Sequence, residues 1–319
     1  MFLAKRNSYY KFEKTFTALG TINTITAYGK RAEQAVYAAH KRVLEIDDRM
    51  SAFKEGSDVM KINRNAGIKP ENINRDTFNL IKESIKFSEL SNGTFDITVR
   101  PLTYLWGFSK KNNFIPNNEE VVQALSKVNY KDILLDDENC TVFLQKEGQA
   151  IDLGSIAKGY ATDEVKRIFF EHKIKNSLIN LGGNVAVSGH NSNGNPWSIG
   201  IQDPTAERGS YVGTIKAVKG TIVTSGSNEQ FFIKDGIRYH HILDPKTGFP
   251  ADTNLLSVTV FCESSMAADA LTTALFISGL TDAMRLLKAA NAEAVLILDN
   301  LHVFVTEGLR RNFELSSCA

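Results

Sequence analysis

The run Ile151-Asp152-Leu153-Gly154-Ser155-Ile156-Ala157-Lys158-Gly159-Tyr160-Ala161-Thr162-Asp163 constrains the fold more than any other part of the chain. Residues 141–144 and 150–153 read as strands, and from Ile156 onward the period changes. Ala161, Val165, Ile168 and Phe169 recur at helical spacing through Phe170, so one stripe of an amphipathic helix can be buried. The junction is therefore strand, Gly-Ser turn, helix, with Asp152 at the end of the strand and Lys158 in the helix's first turn. A cation there opposes the helix dipole by roughly 0.3–1 kcal/mol. An anion docked on the exposed N–H groups would reverse the sign. The same residue also reads as a solvated surface lysine. The G-x-x-x-x-G-K-[ST] spacing is absent, which excludes a P-loop.

Around this junction, residues 15–27 predict a strand pair about Gly20. Residues 30–50 predict a helix with Val36, Ala39, Val43, Ile46 and Met50 on one face. A second helix spans 76–90 and closes at Ser91-Asn92-Gly93, a C-cap and turn signal. The polar loop 110–118, which contains a proline, is the best place for a lobe boundary (near 110–121) within a single 1–319 domain. Residues 177–188 form a strand interrupted by Gly182-Gly183, and 197–202 and 213–218 are further strands. A hairpin joins 230–233 to 237–243 across Lys234-Asp235-Gly236, and Asp244-Pro245-Lys246-Thr247-Gly248 makes the next turn. A strand at 256–261 precedes helices at 265–278, ended by Gly279, and 281–290. Strands at 293–298 and 302–305 finish the sheet. Strands and helices alternate unevenly and several hairpins occur, which points to an α+β fold of mixed, largely antiparallel sheets packed with helices. No G-x-G-x-x-G follows a strand, which disfavours a dinucleotide-binding doubly wound sheet.

Charge narrows the function classes. With 37 basic and 36 acidic residues the net charge is +1, against the strongly basic footprint of a general nucleic-acid binder. Any anion site must be local. Cys140, Cys262 and Cys318 are too few and too scattered for a disulfide framework and read as free thiols. No run of about 18 apolar residues predicts a transmembrane helix. Met1-Phe2-Leu3-Ala4-Lys5-Arg6-Asn7 lacks the apolar core of a signal peptide, so the expectation is a cytoplasmic protein unless a leader has been removed.

Two constellations carry chemistry. In Met266-Ala267-Ala268-Asp269-Ala270-Leu271-Thr272-Thr273, Asp269 and Thr273 are four apart and share a helix face. A carboxylate inside an apolar helix is costly unless paired or metal-bound. With a backbone carbonyl, these are hard oxygen donors suited to Mg²⁺ or Ca²⁺, but taken alone Asp269 reads first as a hydrogen-bonding strut. In Arg238-Tyr239-His240-His241-Ile242, adjacent strand positions face opposite ways, so only one histidine can face a given site. Taken singly, Asp96 is a turn or capping residue, and Tyr104, Trp106 and Phe108 are core.

Five stretches occur together and in order: Gly93-Thr94-Phe95-Asp96-Ile97-Thr98 with Leu105-Trp106-Gly107-Phe108, Ile151 to Ala161, Asn180-Leu181-Gly182-Gly183-Asn184, His241-Ile242-Leu243-Asp244-Pro245-Lys246-Thr247-Gly248, and Ala268-Asp269-Ala270-Leu271-Thr272-Thr273-Ala274. This set resembles the FAD:protein FMN transferase (ApbE) family, from about Gly20 to the final strands. The resemblance implies an α+β fold with FAD in a cleft between two lobes and Mg²⁺ bridging its pyrophosphate. It also implies transfer of FMN to a threonine or serine hydroxyl in the flavinylation motif of an acceptor flavoprotein, releasing AMP. Carried over by motif, Asp269 and Thr273 would be metal ligands together with the Ser155 carbonyl. Asp152, Lys158, Thr94, Phe95 and Asp96 would contact FAD, as would Leu19 and Phe53, and His241 would contact it as the catalytic histidine. Asp244 is the candidate to orient His241. Hydrolysis of FAD to FMN and AMP, and non-enzymatic flavin binding, remain the rival expectations. Pyrophosphate cleavage needs charge neutralisation on the phosphoryl oxygens and a base for the attacking hydroxyl, for which histidine contributes roughly 10²–10⁴-fold.

Overall fold

The computed structural model describes residues 10–108 and 113–316. Residues 110–112 of the polar loop, Met1-Phe2-Leu3-Ala4-Lys5-Arg6-Asn7 and Cys318 lie outside the described residues. Elements are numbered in chain order. The central sheet has eight strands, every neighbouring pair antiparallel. Its spatial order is β1 (Lys11–Ala18), β2 (Thr21–Tyr28), β6 (Asn176–Leu181), β7 (Asn184–Ser188), β10 (Lys219–Gly226), β13 (Leu255–Cys262), β14 (Glu293–Leu298) and β15 (Val303–Val305). One face is covered by α1 (Ala32–Met50), α6 (Ala157–Glu171) and α7 (Ser265–Ala289). Behind the other face lies a three-stranded sheet of β8 (Trp197–Gln202), β9 (Tyr211–Ala217) and β16 (Phe313–Leu315). Alternate residues of one strand therefore enter different cores. Val258, Val260, Ala294 and Leu296 pack with the helices, whereas Ile222, Val295 and Ile297 pack with Trp197, Ile201 and Ile215. Burial on both faces explains why β13 and β14 read as almost unbroken apolar runs.

A smaller group lies to one side. It holds α2 (Asp58–Arg64), β3 (Glu71–Asn72), α3 (Arg75–Leu90), α4 (Arg100–Trp106), α5 (Asn118–Leu125), β4 (Ile133–Asp136) and β5 (Thr141–Leu144), with the β11 (Phe231–Lys234) and β12 (Ile237–His240) hairpin. Within it α2, α3, β4 and β5 pack into the main core, whereas Leu102, Trp106, Val121, Phe232 and Leu243 form a separate one under α4, α5 and the hairpin. Trp106 is fully buried and its indole N–H donates to the Gly248 carbonyl at 2.9 Å, tying α4 to the loop after His241. Phe108 stacks on Trp106 and belongs to the same core, but Tyr104 is exposed, contrary to the reading of all three as core.

The mixed, antiparallel α+β architecture matches the sequence reading, but individual elements depart from it. Residues 150–153 are extended but make no ladder. Instead Asn63 of α2 donates to the Ile151 carbonyl (3.0 Å) and accepts from its N–H (2.8 Å), so one amide side chain stands in for a neighbouring strand. The hairpin strand expected at 237–243 stops at His240, and His241 lies just beyond it. The helices expected at 265–278 and 281–290 join into α7, with the break surviving as a kink at Gly279, whose φ of 68° and ψ of −170° are not helical. By length and composition α7 could cross a membrane, yet its first half packs on β10, β13 and α6 and carries buried Asp269. That is the signature of a core helix.

Candidate functional site

The site is built where the first turns of α6 and α7 meet. Gly159 makes the approach possible: a Cβ there would lie 2.7 Å from the Met266 Cα and still nearer the Ser265 carbonyl oxygen. With the backbones this close, Asp269 Oδ2 accepts the Gly159 N–H at 2.9 Å. Among the described residues, that N–H is then not spent on the Ser155 carbonyl four residues back, which keeps a free oxygen at the turn. Lys158 folds over the same turn, donating to the Gly154 carbonyl (2.9 Å) with its ammonium 3.6 Å from Asp269 Oδ1. The carboxylate explains how the helix tolerates a lysine in its first turn. Asp269 thus takes the strut role open to it in the sequence, with one oxygen still directed toward Lys158 rather than consumed by backbone.

One turn on, Thr273 is half-buried, and among the described residues its hydroxyl has no hydrogen-bond partner. Asp269, the Thr273 hydroxyl and the Ser155 carbonyl are all hard oxygen donors. No group of three or more His, Cys, Asp or Glu suited to a metal occurs among the described residues. One carboxylate with two neutral oxygens suits Mg²⁺, which keeps several other ligands for water and substrate phosphate.

His241 approaches from the hairpin. Its backbone N–H donates to the Gln230 carbonyl (3.0 Å) and its Nδ1 lies 3.2 Å from the same oxygen. A carbonyl only accepts, so Nδ1 carries the proton and Nε2 is left as a base. Asp244 does not orient the ring as the sequence suggested; its carboxylate instead caps its own turn, accepting from Lys246 N–H at 2.8 Å. Burial lowers the His241 pKa from its ordinary value, and the Lys158 charge pushes the same way; the Gln230 carbonyl and Glu229 oppose them. The ring is therefore neutral at neutral pH. His240 faces away into the interior, its Nε2 3.1 Å from the Ala251 carbonyl and its ring edge-on to Phe276. The pair is separated, but not by strand alternation, because the strand ends at His240 and His241 lies in the bend beyond it.

Asp152 lies beside Lys158's turn. Its Oδ1 accepts from Gly154 N–H (2.9 Å) and its Oδ2 pairs with Arg100 at 3.0 Å. Arg100 in turn lies 4.2 Å from the centre of the exposed Phe53 ring. Thr94, Phe95 and Asp96 point inward. Thr94 Oγ1 bonds the Ser91 carbonyl and Ser278, Phe95 is buried against Phe87, and Asp96 accepts from Thr98 and Tyr130. Burial raises the Asp96 pKa against those hydrogen bonds. Any ligand contact by these three would run through backbone. Leu19 sits at the β1–β2 turn with φ of 53°. Cys140 and Cys262 are free thiols, as expected, and burial lifts the Cys262 pKa to about 11.

The family model described as ApbE family matches residues 19–296, nearly the whole chain. The chain belongs to the ApbE family. An FAD:protein FMN transferase of Klebsiella pneumoniae (strain 342) is 30% identical over 96% of this chain and 95% of its own length. One from Treponema pallidum (strain Nichols) is also 30% identical, over 94% and 88%. Among solved structures, the ApbE protein of Thermotoga maritima is 34% identical with a TM-score of 0.87, covering 95% of this chain and 99% of that one. The flavin transferase ApbE of Vibrio cholerae is 26% identical with a TM-score of 0.86 over the same shares. Within this ApbE fold, Lys158 and Asp269 pair where α6 and α7 meet, Thr273 follows one turn along α7, Ser155 lies in the turn before α6, and Asp152 and Phe53 meet through Arg100. Two contributors escaped the sequence reading. Gly159 and Asp163 both stand in the run that constrains the fold, but the sequence assigns neither of them a partner.

Proposed function

We propose that this chain is an Mg²⁺-dependent FAD:protein FMN transferase that links FMN through a phosphoester to a threonine or serine of an acceptor flavoprotein and releases AMP. The names of its relatives support the transferase activity. The observation that carries the finer reading is the pairing of Lys158 with Asp269 where α6 and α7 meet, together with His241, whose Nε2 is left as a base just beyond the hairpin. An ammonium and a helix N-terminus suit the pyrophosphate of a dinucleotide. Asp269, Thr273 and the Ser155 carbonyl would hold the metal, which supplies charge neutralisation on the phosphate oxygens when bound. His241 Nε2 accepts the proton of the acceptor hydroxyl as that oxygen attacks the FMN-side phosphorus. The bond from phosphorus to the oxygen bridging toward AMP breaks, and AMP leaves.

The test is AMP release from FAD and Mg²⁺, with and without acceptor. Release that depends on acceptor and is abolished by EDTA fits the transferase. Equal release without acceptor identifies a pyrophosphatase, and none in either tube identifies a flavin carrier.

A further inference from the structure

We propose that Arg100 is a positioning residue for the planar ring of the dinucleotide, holding Phe53 and Asp152 as one platform; this rests on the FAD reading above. Phe53 is 68% exposed. It is not loose. Its backbone N–H donates to Ser51 Oγ (3.1 Å), and the Arg100 guanidinium backs its ring at 4.2 Å. Arg100 itself is well covered, its side chain only 16% exposed, because its other edge is paired with Asp152 Oδ2 at 3.0 Å. Asp152 is fixed in turn, its N–H on the Ile97 carbonyl (2.7 Å) and its Oδ1 on Gly154 N–H.

One guanidinium therefore joins the loop after α1, the start of α4 and the turn that carries Lys158. A planar cation can stack flat on an aromatic ring and grip a carboxylate edge-on at once, which an ammonium cannot do. The ring backed this way keeps its solvent-facing surface for a second planar group. Isoalloxazine and adenine both have that chemistry, and FAD supplies both.

The experiment is equilibrium FAD binding, read as quenching of flavin fluorescence with Mg²⁺ present and acceptor withheld, alongside KM, kcat and thermal midpoint. Arg100→Ala should weaken FAD at least about tenfold, and Arg100→Lys, which keeps the charge pair but not the stack, by a smaller factor of roughly three. In both, KM rises far more than kcat falls. Phe53→Ala should lose as much as Arg100→Ala, and the double variant no more than either, because the two act as a unit. Competition by AMP and by FMN tells which ring uses the platform: the competitor weakened in Arg100→Ala is the one that sits there. Arg100→Ala binding FAD like its parent, or losing thermal stability alone, overturns the inference and leaves the FAD reading standing. Failure of the unsubstituted protein to bind FAD overturns both.

Discussion

Asp163 and Asp269 cap each other's helices. Asp163 of α6 accepts the Ser265 and Met266 N–H groups at the start of α7 (2.9 and 3.0 Å) and the Ser264 hydroxyl (3.1 Å). Asp269 of α7 accepts the Gly159 N–H in the first turn of α6 (2.9 Å). Each helix start is thus completed by the other helix, and the position of Asp269 at the site depends on a residue outside it. Asp163→Ala should cost about 1–2 kcal/mol, the usual range for a lost cap, measured as a shift in urea midpoint with an unchanged m-value. No loss would mean water replaces the carboxylate at both N–H groups.

Gly159→Ala tests the close approach directly. Its Cβ would meet the backbone of Ser265 and Met266, which cannot move aside like a side chain. The helices must separate, at about 1–3 kcal/mol, and the Gly159–Asp269 bond stretches with them. Stability from urea unfolding and Mg²⁺ affinity from calorimetry should fall together. A stable variant with parental metal affinity would contradict the packing account.

Asp269→Asn separates strut from ligand. The amide oxygen can still accept from Gly159, so the protein should fold, but the charge that faces Lys158 and a cation is gone. Turnover should become undetectable at low Mg²⁺ with the circular dichroism spectrum retained. Full activity there would restrict Asp269 to its structural bond. Thr273→Val should be milder, since water can replace a neutral oxygen.

The fold was legible wherever the signal was local. The period change at Ile156 and the Lys234-Asp235-Gly236 hairpin sit within a few residues and each matches an element of the structure, while Gly182-Gly183, read as an interruption of one strand, is the turn that joins β6 antiparallel to β7. What escaped depends on distant chain. β10 was missed because its Gly-flanked run is buried on both faces and lacks alternation. Residues 150–153 looked like a strand because nothing nearby announces that Asn63 would take up Ile151's backbone groups. The short helices α2, α4 and α5 are set by caps and packing rather than by periodicity. At the site, motif resemblance singled out residues but not their partners. The orienting group of His241 is a backbone carbonyl, which no side-chain pattern reveals.

His240 gives the protein an acid-sensitive step. Burial lowers its pKa from 6.5 to about 4, helped by His241 and Arg238 and opposed by the Ala251 carbonyl. Between these values the unfolded chain binds the proton and the folded one does not, so stability falls as pH drops through that window and levels off below it. The loss can reach about 3 kcal/mol. His240→Gln, which does not titrate, should flatten urea midpoints across the window. An unchanged slope would assign the acid sensitivity to other groups.

The most direct measurement is the mass of the acceptor protein after incubation with FAD and Mg²⁺, using the unsubstituted enzyme and His241→Ala. The acceptor should gain one FMN on a serine or threonine, mapped by peptide fragmentation, while His241→Ala forms that adduct at least roughly 10²-fold more slowly, as expected for loss of a general base. An acceptor that stays unmodified while FAD is consumed would contradict the transferase account. Equal rates for the two proteins would contradict the role given to His241.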